Sequence, residues 1–298
     1  MASGGRIGAA AAAAALVLLA GCGGAGHGRA TPTAPAPAPR LAFADPKGEP
    51  LDTVDRGIVE RVGSVAVHDV SYESGGRRIQ AYLVEPRRPG GNRAGVVVVH
   101  GSGGSRRELL RYAVELGRRG LLAIAPTMPS ERPQPAPTSV AGLLSQARAS
   151  TVADVVAVRR AGDVLAERGA RRLGYLGWSS GAKTGTFVAA SDARFRALAL
   201  LSAGAATVEQ FAAAAPAGSR QLVRRELSLV DPIRYVSLAR PGSLLLEDGT
   251  RDAVVPRGAL ENVVRAAPRG TTVRWYPTGH ALDPAAYRAA IGWLVARL

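Results

Sequence analysis

Hydrophobic and polar positions change period several times along the chain, and each change marks an element. Residues 65–72 and 78–84 alternate on either side of Gly75-Gly76, as two strands joined by a tight hairpin would. Residues 95–99, one Gly and four Val, form the unbroken apolar run of a strand covered on both faces. A helical period follows over 105–119. Leu109, Leu110, Ala113, Val114 and Leu116 share its apolar face, Ser105 and Glu108 have capping-box spacing, and Gly120 stops it. Residues 121–125 are another buried-strand run.

The alternation then repeats: helix 151–168 closed by Gly169, strand 172–176, helix 180–190 and strand 197–201. Strand 243–246, helix 257–267 stopped by Pro268, and strand 271–276 follow. The last helix has Asp283 as N-cap and Pro284 at its first position, with Tyr287, Ile291, Leu294, Val295 and Leu298 on one face. A hairpin followed by alternating strands and helices predicts an α/β fold: about eight mostly parallel strands, with helices on both faces. Chemistry is then expected on loops leaving the carboxyl ends of the strands. Two stretches escape the alternation. Residues 126–150 read as a Pro-rich loop, and residues 203–241, helical over 208–215, as a small cap at most.

The opening of the chain has a different character. Arg6 precedes an apolar run over 9–20, too short to span a bilayer and ended by small residues, as in a secretory signal. The run ends in Leu19-Ala20-Gly21-Cys22, which resembles the lipobox of bacterial lipoproteins. That resemblance implies cleavage before Cys22 and a diacylglycerol on its thiol. The competing reading is an ordinary signal peptide with a chance cysteine; Cys22 being the only cysteine weighs against it. Residues 22–45, rich in Gly, Ala and Pro, read as a tether that cannot bury a core. The expectation is a signal peptide over 1–21, a tether over 22–45, and a domain over 46–298 that is exported and lipid-anchored at the cell membrane.

Composition narrows the function. The 298 residues include 38 Lys+Arg against 23 Asp+Glu, a net charge of +15, and a mean hydropathy of +0.05 comes from the same chain. Length and hydropathy suit a globular domain with a sizeable core. One cysteine excludes a disulfide framework, and the spacing of the four His excludes a metal hydrolase of the H-E-x-x-H kind. Only Lys47 and Lys183 are lysines; the arginines are scattered, some as adjacent pairs, without a long basic run or interleaved aromatics. The charge therefore reads as solvated surface rather than a nucleic-acid groove.

Gly177-Trp178-Ser179-Ser180-Gly181 is the single G-x-S-x-G, and it lies between a predicted strand and a predicted helix. Ser179 is the candidate nucleophile, held at a helix N-terminus whose free N–H groups favour developing negative charge. A serine needs an imidazole base. His280 follows the last strand on a loop, whereas His27 lies in the tether, His68 within a strand, and His100 in the loop after strand 95–99. Asp252 is the candidate carboxylate for His280, with Asp248 as the alternative. The order Ser179, Asp252, His280 is the one α/β-hydrolases use. His100-Gly101-Ser102-Gly103-Gly104 leaves an early strand; a phosphate-binding reading fails because no G-K-[ST] follows.

Together the hairpin, this Gly-rich loop, the Ser179 turn, Asp231-Pro232 and the Asp252 segment resemble the α/β-hydrolase superfamily, from about residue 60 to 298. Within it they are similar to the dienelactone-hydrolase and prolyl-oligopeptidase branch. The resemblance implies an oxyanion hole formed by the N–H groups of Ser180 and of Ser102 or Gly103. It implies a serine esterase acting on a small acyl ester, with no metal or organic cofactor. Dienelactone hydrolases use a Cys nucleophile where this chain has Ser179, so their own reaction is not carried over. An acyltransferase, a small peptidase and a non-catalytic envelope lipoprotein remain the rival expectations.

Overall fold

The computed structural model describes Phe43 and residues 49–87 and 93–298. The signal-peptide, lipobox and most of the tether expectations, Cys22 included, lie outside the described residues; Phe43, expected in the tether, is instead buried in the core against the rings of Phe187 and Tyr235. Nine strands form one sheet: β1 (Val54–Val62), β2 (Val65–Ser74), β3 (Arg77–Pro86), β4 (Ala94–Val99), β5 (Leu122–Pro126), β6 (Arg172–Trp178), β7 (Phe195–Leu201), β8 (Leu244–Gly249) and β9 (Thr272–Tyr276). Their spatial order is β1-β2-β3-β5-β4-β6-β7-β8-β9. The first three strands form an antiparallel meander that meets β5 antiparallel, and β4 to β9 pair parallel. Gly75 and Gly76, at φ +56° and +69°, make the hairpin turn between β2 and β3.

The helices are α1 (Leu110–Arg118), α2 (Val140–Glu167), α3 (Ser180–Ser191), α4 (Val208–Ala214), α5 (Arg220–Leu227), α6 (Pro232–Val236), α7 (Arg257–Ala266) and α8 (Pro284–Val295). The sheet separates two apolar clusters. On one face Val97, Val99, Ile124 and Tyr175 pack with Val155, Val158 and Leu165 of α2 and Phe187 of α3. On the other, Val96, Val98, Leu176 and Leu245 pack with Leu116 of α1 and Ile291 and Leu294 of α8. Tyr112 and Tyr287 join α1 to α8 as stacked rings 4.0 Å apart. Alternate β4 valines enter opposite clusters, which is why that strand is apolar throughout. A third, small cluster links Leu144 of α2 to Ala212 of α4 and Val223 of α5. Helices α4 and α5 are thus a modest cap inserted between β7 and β8, while α6 joins the first cluster through Tyr235 and Val236.

The architecture is the expected one, with three local differences. Strand β1 carries almost wholly exposed side chains and two irregularities of register, so no alternation announced it. The helix expected over 105–119 begins at Leu110, and no capping box forms. Residues 106–109 make turns, and the Glu108 carboxylate accepts instead from the N–H of Gly101, at 3.0 Å. The helix expected over 151–168 begins eleven residues earlier, at Val140. Ser139 caps it by accepting from the Gly142 N–H at 3.1 Å. Its first three turns bury only Leu144, so the apolar stripe there is too thin to read. Among the described residues, no helix is long and apolar enough to cross a membrane.

Candidate active site

Strand β6 delivers Ser179 into a turn that few residues tolerate. Ser179 has φ +56° and ψ −117°, a conformation that costs about 1–3 kcal/mol and persists only where the surroundings enforce it. Here the enforcement is direct. The Ser179 N–H donates to the Leu201 carbonyl at 2.9 Å, and its own carbonyl accepts from the Lys183 N–H at 3.0 Å. The flanking glycines are required by space. A Cβ on Gly177 would lie 2.7 Å from the Gly181 carbonyl carbon and oxygen, and one on Gly181 would lie 2.5 Å from the Val99 carbonyl oxygen. The turn therefore packs against the end of β4, with α3 starting directly beneath the Ser179 hydroxyl.

The structure brings Ser179, His280 and Asp252 together from the ends of β6, β9 and β8. The Ser179 Oγ and His280 Nε2 are 2.8 Å apart, and His280 Nδ1 is 2.8 Å from Asp252 Oδ2. A carboxylate cannot donate, so Nδ1 carries the proton and Nε2 is left to accept the Ser179 hydroxyl. The two Asp252 oxygens divide their work. While Oδ2 faces the imidazole, Oδ1 accepts from the N–H groups of Val254 and Val255, both at 2.8 Å. The side chain is 1% exposed, so its direction is set within the protein.

Asp248, the alternative carboxylate, does not meet His280. It sits buried at the end of β8 with Oδ1 unpartnered, and the Ala203 backbone donates to its carboxyl. Burial, reinforced by the nearby Asp252 charge, pushes its pKa up to about 7. Its neighbour Glu247 is also raised by burial; Arg274 and the Tyr276 hydroxyl, each at 3.0 Å, oppose the shift.

Several positioning groups carried no signal in the sequence. The Trp178 Nε1–H and the Ser202 hydroxyl both donate to the His280 carbonyl, each at 2.9 Å, which anchors the loop after β9. The Trp178 ring also lies 5.3 Å from the imidazole. On the loop after β4, Glu131 Oε2 accepts from the Gly103 N–H at 2.8 Å, and the Gly104 N–H donates to the Gly101 carbonyl at 3.1 Å. With Gly101 held by Glu108, Ser102 is the residue from 101 to 104 whose N–H donates to no acceptor among the described residues. The Ser180 N–H, at the first position of α3, likewise lacks an intrahelical acceptor. Arg106 ties this loop to the meander by a two-pronged contact with Asp69, at 2.9 Å for each prong, and holds that carboxyl below its usual range.

The other histidines are engaged elsewhere. His100 is buried; its Nε2 accepts from the Met128 N–H at 3.1 Å, so Nδ1 bears the proton and donates to the Gly101 carbonyl at 2.7 Å. His68 lies on β2 beside Asp55, at 3.1 Å. His27 is outside the described residues. Lys183, one turn beyond Ser179, has its ammonium pKa lowered by burial, against the attraction of Asp154. Burial raises Asp154 itself to about 6. Among the described residues no group of three or more His, Cys, Asp and Glu is placed to hold a metal ion.

A mostly parallel sheet in this order, with the serine-bearing turn after β6 and a small cap between β7 and β8, is the α/β-hydrolase fold. Solved structures agree. Acetyl xylan esterase 1 from a Thermoanaerobacterium species superposes with a TM-score of 0.69 at 14% identity, covering 86% of this chain and 90% of that one. A cold-adapted esterase from an Arctic intertidal metagenomic library gives 0.62 at 22% identity, over 80% and 97%. An S-formylglutathione hydrolase from Agrobacterium tumefaciens gives 0.60 at 15% identity, over 82% and 99%. At these identities the likeness is one of fold. No family model matches the sequence, and no curated protein matches it.

Proposed function

We propose that this chain is a serine hydrolase that cleaves carboxylic esters through an acyl-enzyme. The observation that carries the reading is the unbroken line Ser179 Oγ, His280 Nε2, His280 Nδ1, Asp252 Oδ2, with 2.8 Å at both hydrogen bonds. As Ser179 attacks the acyl carbon, His280 Nε2 takes the hydroxyl proton and Asp252 stabilises the resulting imidazolium. The carbonyl oxygen, now negative, is held by the N–H groups of Ser180 and Ser102. Collapse of the tetrahedral species expels the alcohol, which receives the proton from His280. Water then repeats the sequence on the acyl group and frees Ser179. That solved structures of the same fold include named esterases supports the ester as substrate.

Ser179→Ala tests the assignment. It is expected to abolish p-nitrophenyl acetate turnover and labelling by a fluorophosphonate, with the thermal unfolding transition retained. Labelling that survives the substitution rejects Ser179 as nucleophile.

The cellular placement is part of the same proposal. Leu19-Ala20-Gly21-Cys22 supports export and lipid attachment at Cys22, with the residues between Cys22 and the core-packed Phe43 holding the domain off the membrane. Incorporation of an alkynyl fatty acid in cells, lost in Cys22→Ser, is the expected result; equal incorporation in both would refute it.

A further inference from the structure

At the end of the sheet away from Ser179, five arginines converge on one concavity. A cavity of about 520 Å³ is lined by Arg171, Arg172, Arg196, Arg240, Gly242 and Arg297. Arg172 begins β6 and Arg196 lies at the start of β7. Arg240 and Gly242 precede β8, and Arg297 follows α8. Strands β6, β7 and β8 run parallel, so their beginnings share one edge, and the length of β6 puts roughly 20 Å between this edge and Ser179.

What distinguishes the cluster is its density: five guanidiniums line one hollow with no Asp or Glu side chain among its lining residues. Some arginines elsewhere meet carboxylates, as Arg106 does with Asp69, Arg168 with Asp55 and Glu85, and Arg194 with Asp192 and Asp163; others among the described residues stand singly on the surface. None of the five around the cavity forms an ion pair with an Asp or Glu among the described residues. Arg172 donates to the main-chain oxygen of Leu298 at 2.8 Å, and Arg240 to that of Arg196 at 2.6 Å. Arg297 donates to the Trp293 carbonyl at 3.5 Å and lies 4.1 Å from the centre of that indole. Among the described residues, the guanidiniums of Arg171 and Arg196 form no hydrogen bond or ion pair with the protein. Sequence order hides this grouping, because the five come from four separate segments.

We propose that this cavity is an anion site that binds a phosphate group, carried by a small molecule or a lipid headgroup. Like charges gathered in one hollow repel one another, and a multiply charged anion relieves that repulsion while accepting several hydrogen bonds. The planar fork of Arg suits paired phosphate oxygens, and donors arriving from several directions suit a tetrahedral group better than a flat carboxylate. The volume is within the range of ordinary small-molecule sites. The inference does not rest on the ester-hydrolase reading, since no residue of the cavity belongs to the Ser179 site.

The test uses the full chain and the Arg171→Gln/Arg196→Gln double variant, which removes the two guanidiniums without a hydrogen bond or ion pair among the described residues. Pyrophosphate is titrated at ionic strength held constant with sodium chloride, and binding is read by calorimetry and thermal shift. Saturable binding is expected, with a rise in Tm of roughly 3–5 °C at ten times Kd. The double variant is expected to bind at least tenfold more weakly with p-nitrophenyl acetate turnover unchanged. A second arm measures sedimentation with vesicles of phosphatidylglycerol or of phosphatidylcholine. Extra binding to phosphatidylglycerol that the double variant loses identifies the headgroup as the source; pyrophosphate binding without it identifies a soluble ligand. Equal behaviour of parent and double variant in both arms overturns the site, as does a pyrophosphate response no greater than that to chloride.

Discussion

Replacing Asp252 by Asn removes one charge while keeping the side chain's shape, and its surroundings dictate how the amide must sit. The oxygen at Oδ1 accepts from two backbone N–H groups, those of Val254 and Val255, both at 2.8 Å. An amide NH2 cannot occupy that position without facing two donors, so the Asn oxygen stays there and its nitrogen takes the place of Oδ2. That nitrogen then donates to His280 Nδ1, which must become an acceptor, and the imidazole proton moves to Nε2. An Nε2–H facing the Ser179 hydroxyl across 2.8 Å cannot take its proton. A wrong tautomer of this kind costs about 10⁴ in kcat, or about 5 kcal/mol at ~1.4 kcal/mol per decade. Asp248→Asn is the control. Asp248 is buried in β8, does not touch His280 and has a pKa of about 7, so its isostere is expected to keep activity within about tenfold. Steady-state hydrolysis of p-nitrophenyl acetate by both variants decides the matter. A larger loss from Asp248→Asn than from Asp252→Asn, or more than a tenth of the activity surviving in Asp252→Asn, would refute the assignment of the carboxylate.

Stability supplies a separate test of Asp248. Its folded pKa of about 7 lies above the ordinary 3.8, so between pH 4 and 7 the folded protein binds more protons than the unfolded chain and this group's contribution falls as pH rises. Three units correspond to on the order of 4 kcal/mol, and the Tm of Asp248→Asn relative to the parent should climb from pH 4 to pH 8; a flat difference contradicts the burial argument. Gly181→Ala drives a Cβ to 2.5 Å from the Val99 oxygen, and should lose both fluorophosphonate labelling and about 1–3 kcal/mol in urea unfolding. Trp178→Phe keeps a ring beside the imidazole but deletes one of two donors to the His280 carbonyl. It is expected to lower kcat severalfold with little change in KM, whereas a loss confined to KM would mean that Trp178 contacts substrate instead.

Much of this molecule is written in short-range pattern. The four valines of β4 declare a strand covered on both faces, Gly75-Gly76 a hairpin, and Asp283-Pro284 the start of α8, because each depends only on neighbours in the chain. Ser179, Asp252 and His280 could be singled out for the same reason: each follows a legible strand in a loop of recognisable composition. Strand β1 was invisible because a strand at the sheet edge with exposed side chains has no apolar alternation. The first three turns of α2 were hidden because they bury a single leucine.

What the linear pattern could not supply were relations between distant segments. Glu108 has the spacing of a helix cap, yet its carboxylate serves the Gly101 N–H, since the chain turns back there before α1 begins. The sequence favours Asp252, yet setting Asp248 aside required knowing which carboxylate reaches the loop after β9. Ser202 and Trp178 meet at the carbonyl of His280 only because β6 and β7 are adjacent in the sheet. The scattered arginines read as evenly solvated charge until three parallel strands and the end of α8 brought five of them to one edge. Local composition selects strands, turns and helix ends through interactions a few residues long; the pairing order of the strands decides which side chains share a site, and that order is a property of the whole packed sheet.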